Sequence, residues 1–131
     1  MSIKHKNWKP VKGHSQWGMP RAKRAKLILV EPEQDELQID IDGCRALRHY
    51  GAQFAILQKA GITHGWKESM TPSRAKNHMH ITIKLPRVIT NLERVCLQSI
   101  LGSDPMREAF NYVRVNKRTR YPIVFFEKEN T

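Results

Sequence analysis

Two short segments constrain the fold more than anything else in the chain. Residues 37–43 (LQIDIDG) and 77–86 (NHMHITIKLP) alternate apolar and polar side chains with the period of a half-buried β-strand. In the first, Leu37, Ile39 and Ile41 oppose Gln38, Asp40 and Asp42. In the second, Met79, Ile81, Ile83 and Leu85 oppose His78, His80, Thr82 and Lys84. Laid side by side, they put two carboxylates and two imidazoles on one face of a sheet. Carboxylate oxygen and imidazole nitrogen are common protein ligands of Mg, Mn and Zn, so that face is a candidate divalent-metal site. Two aspartates two residues apart on a strand also repel each other unless a cation offsets their charge.

The segments around these strands supply the rest of one domain. A short apolar run at 27–30 predicts an edge strand before an acidic turn at 31–36. Residues 44–60 carry Leu47, Tyr50, Phe54 and Leu57 on one helical face, with Gly61 as a stop. A more polar strand is expected over 62–70, and a basic loop with Pro72 over 71–76 makes a hairpin with the histidine strand. Thr90 and Glu93 form a capping box before a helix ended by Gly102, and Ser103 or Asp104 then caps a second helix with Pro105 in its first turn. Residues 121–128 (YPIVFFEK) predict the last strand. The order strand, helix, strand, strand, helix, strand is the ferredoxin-like or RRM-like βαββαβ pattern. It predicts an α+β domain over 27–131, an antiparallel sheet with two helical regions on one face, and the Asp and His residues on the opposite, open face.

Charge separates a second region. The chain of 131 residues has a formal net charge of +11. Lys4, Lys6, Lys9, Lys12, Arg21, Lys23, Arg24 and Lys26 fall within residues 1–26 with no acidic residue among them, a composition that reads as a flexible basic arm. Such a balance points to a polyanionic partner, DNA in the first instance. Arg107, Arg114, Lys117, Arg118 and Arg120 form a second basic cluster, and Trp8, Trp17 and Trp66 are candidates for stacking on bases. In the 71–76 loop, Ser73, Arg74 and Lys76 offer hydroxyl, guanidinium and ammonium groups to phosphate, with His78 and Lys84 continuing that surface. Cys44 and Cys96 lie in helical stretches, which predicts two buried thiols in a reducing compartment. No apolar run reaches the roughly 18 residues of a membrane span, and the expected location is the cytoplasm.

The Asp-Ile-Asp strand (Asp40, Ile41, Asp42), followed by the basic, Ser-containing lead-in and His strand (Ser73 to His80), resembles motifs one and two of archaeo-eukaryotic primases and primase-polymerases. The stretch from Ile81 through LPRVITNLERVCLQSILGSDPMRE also resembles small phage-type proteins. The resemblance covers residues 37–127. It implies an RRM-like catalytic sheet in which Asp40 and Asp42 hold Mg or Mn, while His80, Ser73, Arg74 and Lys76 hold the phosphates of an incoming nucleotide. Single-stranded or primer-template DNA would be the other substrate, a protein partner could help grip it, and the setting would be phage or mobile-element DNA replication in the host cytoplasm. Such enzymes use a third acidic residue; here Asp104 lies at a helix start, where capping accounts for it, and Glu127 lies on the last strand.

Two other readings share these residues. His78-Met79-His80 also resembles the His-hydrophobic-His strand of rolling-circle initiators, which would make Tyr112 a DNA-nicking nucleophile and one aspartate a third metal ligand. The third reading is a non-catalytic module that binds single-stranded nucleic acid on its open sheet.

Overall fold

The structure is a computed structural model that describes residues 3–5, 27–72 and 77–128. Its elements are β1 (Ile3–His5), β2 (Leu27–Glu31), β3 (Glu36–Asp42), α1 (Cys44–Lys59), β4 (Lys67–Pro72), β5 (His78–Lys84), α2 (Asn91–Ile100), α3 (Pro105–Asn116) and β6 (Phe125–Lys128). The architecture is α+β. One antiparallel three-stranded sheet has the order β3-β5-β4, with the two predicted Asp and His strands as hydrogen-bonded neighbours.

Alternation in β3 and β5 builds the core. Register pairs Leu37 with Ile83, Ile39 with Ile81 and Ile41 with Met79, so all six side chains share one face. That face packs against Tyr50 and Leu57 of α1, with Phe54 and Trp66 at its margin, and against Leu97 and Leu101 at the end of α2. Leu37, Ile39, Ile41, Ile81 and Ile83 are essentially inaccessible to solvent. Each such side chain contributes about 1.5 to 3 kcal/mol by leaving water. Trp66 stands edge-on to Phe54 at 6.0 Å, so it belongs to this packing rather than to a base-stacking surface.

The helices form where their signals lie. Thr90 and Glu93 exchange the reciprocal bonds of a capping box at the start of α2. Asp104 accepts from Met106 N at the start of α3, with Pro105 in the first turn. The second predicted strand is shifted, because residues 62–65 are turns and β4 begins at Lys67. Trp66 N donates to Thr63 O there, and Gly65 has φ +79°, a backbone that cannot extend as a strand. Cys44 and Cys96 are free and exposed, against the expectation of two buried thiols. Both are helical, but α1 buries Tyr50 and Leu57 and α2 buries Arg94, Val95 and Gln98, which leaves the cysteines on outer faces.

The larger departure is at the free edge of β3. In the expected arrangement the last strand lies there. Instead β6 starts at Phe125 and pairs with β2, which also pairs with β1, in a second antiparallel sheet of order β1-β2-β6. Residues 3–5, inside the stretch read as a flexible arm, are therefore strand; residues 6–26 lie outside the described residues.

Helix side chains occupy the edge that β6 leaves. Arg94 Nε donates to Glu36 O at 2.7 Å, Gln38 N donates to Gln98 Oε1 at 2.8 Å, and Arg107 Nη1 donates to Gln38 O at 2.7 Å. Asp40 N donates to Ser103 Oγ at 3.0 Å, and Asp104 N donates to Asp40 O at 2.7 Å. Behind them lies the buried carboxylate of Glu108, which accepts from Gln98 Nε2, Ser103 Oγ, Arg107 Nη1 and Asn111 Nδ2 at 2.6 to 3.1 Å. Removing one member of such a buried charged network strands the others without partners. Glu108→Ala should therefore lower the unfolding free energy by about 3 to 5 kcal/mol in a urea titration. Thr90→Ala, at the exposed capping box, should cost about 1 kcal/mol. Equal losses would show that the Glu108 network does not carry the edge.

Candidate functional site

The even-numbered residues of β3 direct their backbone groups outward to the helices, so Asp40 faces His80, and Asp42 faces His78, as non-hydrogen-bonded cross-strand pairs. Side chains approach most closely in pairs of that kind. His78 Nε2 lies 3.0 Å from Asp42 Oδ1, and His80 Nε2 lies 3.7 Å from Asp40 Oδ1. The alternation thus delivers the two carboxylates and two imidazoles to one face, in register.

That face is not open throughout. The segment leading into β6 lies over its centre: Phe125 stacks flat on the His80 ring, with centroids 3.8 Å apart and planes 3° apart. Gln38 Nε2 donates to Val30 O, and Arg107 donates to Val124 O while its guanidinium lies 4.6 Å from the centre of the Phe125 ring. Gln38 is consequently 0 % and His80 8 % exposed, whereas Asp42 is exposed and His78 half-buried. The cover corrects the expectation of a fully open face. It arises because β6 pairs with β2 rather than with β3 and so crosses above the sheet.

Burial sets the electrostatics of Asp40. Desolvation raises its carboxyl above the ordinary aspartate value, the Arg107 guanidinium opposes that shift, and the neighbouring charges of Asp104 and Asp42 reinforce it. Asp104 is the residue that sequence reasoning assigned too narrowly. It caps α3 as expected, yet its backbone bond to Asp40 O also holds a third acidic residue beside the first two. The Ser-Asp-Pro turn carried that signal only in part, since a capping aspartate looks the same whether or not a strand lies against it. Phe125 and Ser103 were missed altogether as partners of His80 and Asp40.

The other predicted site residues divide. Lys84 lies six residues from His78 along β5, roughly 20 Å away, and its ammonium contacts Asp35 Oδ1 at 2.7 Å and Glu33 Oε2 at 2.9 Å. Those hydrogen bonds raise its pKa and lower that of Glu33. The structure therefore ties Lys84 into a corner away from the Asp and His pairs. Ser73, Arg74 and Lys76 lie outside the described residues, as do Lys6, Lys9, Lys12, Arg21, Lys23, Arg24, Lys26, Trp8 and Trp17; Lys4 falls in β1. Arg107 and Arg114, counted in the second basic cluster, are drawn into the interior, where burial pushes the Arg114 guanidinium down to about 10. Tyr112 is 51 % exposed, and five helical residues turn it about 140° away from Arg107, which reaches the sheet. It is not delivered to the histidines.

The donor set has the chemistry of a hard or borderline divalent site, carboxylate oxygens with imidazole nitrogens beside them. Accumulated negative charge around a half-buried Asp40 is what a cation would offset. Among the described residues, however, no three His, Cys, Asp or Glu side chains converge closely enough to hold a metal ion; the donors stand as two cross-strand pairs. Among the described residues no helix is long and apolar enough to cross a membrane. Comparison with protein-family models, curated proteins and solved structures returns no match to the chain.

The raised carboxyl of Asp40 makes a signed prediction. Its folded pKa lies above the ordinary 3.8, so the folded state binds more protons in that interval and stability falls as pH rises through the folded value. The cost is then fully present at neutral pH. Asp40→Asn should raise the melting temperature at pH 7, with the difference from wild type shrinking as pH falls through the folded value and gone below about 4. A lower melting temperature for the variant at pH 7 would contradict this account of Asp40.

Proposed function

We propose that this α+β domain is a ferredoxin-like, RRM-type catalytic unit that carries out divalent-metal-dependent nucleotidyl transfer on DNA in the cytoplasm, in the manner of a small primase-polymerase. The observation that supports the reading best is the β3–β5 register, which sets Asp40 against His80 and Asp42 against His78 beside the acidic residue Asp104. Asp40 and Asp42 would hold Mg or Mn. When bound, the ion would supply charge neutralisation and Lewis-acid polarisation at phosphate oxygens.

The chain's own residues account for positioning. Asp40 is fixed at both backbone groups by Ser103 and Asp104, so its carboxylate is presented from a rigid strand. His80 is held flat beneath Phe125 with Nε2 on the Asp40 side, where an imidazole can donate to a phosphate oxygen. The cover buries His80, leaves Asp40 half-buried and leaves the Asp42 and His78 end for entry. In sequence, Ser73, Arg74 and Lys76 lie between β4 and β5, shortly before His78. Their hydroxyl, guanidinium and ammonium groups suit a triphosphate.

The test is a denaturing gel of a 5′-labelled primer annealed to a template, incubated with Mn and nucleotides. Wild type should extend the primer; Asp40→Asn should lose at least 100-fold of that activity, on the order expected for losing one preorganised charged group, while melting no lower than wild type. Product from Asp40→Asn at the wild-type rate would remove Asp40 from the chemistry. No product from a wild-type chain that binds the same DNA would turn the reading into one of a binding module.

A further inference from the structure

The three helices among the described residues end in the same hydrogen-bond pattern. After α1, Gly61 N donates to Gln58 O and Ile62 N to Leu57 O; after α2, Gly102 N donates to Ser99 O and Ser103 N to Gln98 O. After α3, Arg118 N donates to Val115 O and Thr119 N to Arg114 O. This is the Schellman motif, whose turning residue has a left-handed backbone and is usually glycine. Gly61 and Gly102 fill it at φ +79° and +82°, at no steric cost. Arg118 fills it at φ +55°, where a Cβ is strained against the carbonyl. Local strain of this sort marks a position where the side chain is worth more than the backbone it disturbs.

What that side chain joins is a patch of like charge. Lys117, Arg118 and Arg120 are all exposed, and among the described residues none has a carboxylate within ion-pair distance. Lys84, Arg87 and Arg107, by contrast, each contact an acidic group. The Arg120 guanidinium is propped over the ring of buried Tyr121, 5.3 Å from its centre, so it is held in place rather than loose in solvent. The Schellman bonds and the Thr119 hydroxyl occupy the end carbonyls of α3, leaving the three cations to project beyond them. A helix C-terminus favours cations by itself. That preference does not require an arginine at the one position where glycine is cheaper.

We propose that Lys117, Arg118 and Arg120 form a contact surface for the phosphate backbone of DNA at the far end of α3. The helix is capped by Asp104, beside Asp40, and its 12 residues span roughly 18 Å, so the patch lies at the opposite end of α3 from the Asp and His pairs. The proposal takes DNA as partner from the function proposed above, and its test needs none of that chemistry.

The test compares full-length wild type, Arg118→Gly and the triple variant Lys117→Gln, Arg118→Gly, Arg120→Gln, in EDTA and without nucleotides. Anisotropy of a labelled single-stranded oligonucleotide across a NaCl series gives affinity and its salt dependence, and thermal melting gives stability. Arg118→Gly should melt roughly 2 to 5 °C higher, because the left-handed strain is gone. It should also bind DNA more weakly, with a log K against log salt slope reduced by about 0.7; the triple variant should lose about 2. A gain in melting temperature with affinity and slope unchanged would overturn the surface, and so would a fall in melting temperature, which removes the strain argument. Loss of binding in these variants from a wild type that extends no primer would keep the surface and discard the nucleotidyl-transfer reading.

Discussion

The structure depends on how the outer edge of β3 is satisfied. An edge strand carries unpaired N–H and C=O groups, and burying them without partners costs on the order of 1 to 3 kcal/mol each. Here Arg94, Gln98, Ser103, Arg107 and the backbone of Asp104 answer Glu36, Gln38 and Asp40 group by group. An additional strand has nowhere to pair on that side. β6 is thereby left to β2, the described strands form two small sheets instead of one of four strands, and the segment entering β6 runs over the polar face instead of beside it. The buried charges of Arg94 and Glu108 follow from the same arrangement, as donors and acceptors for backbone and side-chain groups that no strand reaches.

Asp40 is where this framework and the candidate site meet. Its backbone belongs to the helix-bound edge and its side chain to the Asp and His face, so one residue transmits the rigidity of the network to the carboxylate. The same enclosure raises the cost of charging that carboxylate, and Asp104, brought in by the edge, raises it further. A fold that places acidic residues close together in a half-buried setting stores repulsion there. Stability and ligand binding then pull in opposite directions at this position, as at sites built for a cation or a transferring phosphate.

Much of the sheet was legible in the sequence because alternation with period two fixes which residues share a face. Leu37, Ile39 and Ile41 had to share the buried face with Ile83, Ile81 and Met79, which puts Asp40, Asp42, His78 and His80 together on the other, while the pairing of Asp40 with His80 within that face comes from the register of the structure. The capping box at Thr90 and the Asp104-Pro105 start were equally readable, since their bonds are local. The destination of residues 121–128 was not. Their apolar pattern demanded burial but did not say against what, and the competitor for the β3 edge was a set of polar helix residues, Arg94, Gln98 and Arg107, that looked like ordinary solvated positions. For the same reason Arg107 and Arg114 were counted as surface charge, and Phe125 was read as a strand residue with no link to His80. Long-range polar pairing leaves no periodic trace in a single chain.

The cover over His80 changes how the face can work. With Phe125 stacked on the inner histidine and Gln38 closed off, the Asp and His face is covered at its centre, with Asp40 half-buried and Asp42 exposed. Electrostatic interactions strengthen toward the covered end, so a ligand approaching past Asp42 and His78 would meet rising attraction for positive charge and a rising cost for unpaired negative charge. A bare phosphate would be repelled by Asp42 and Asp40 in turn; one accompanied by a divalent cation would not. On the function proposed above, the order of these residues would favour a neutralised phosphate over a free one, and Phe125, by covering the inner end, would sharpen that discrimination.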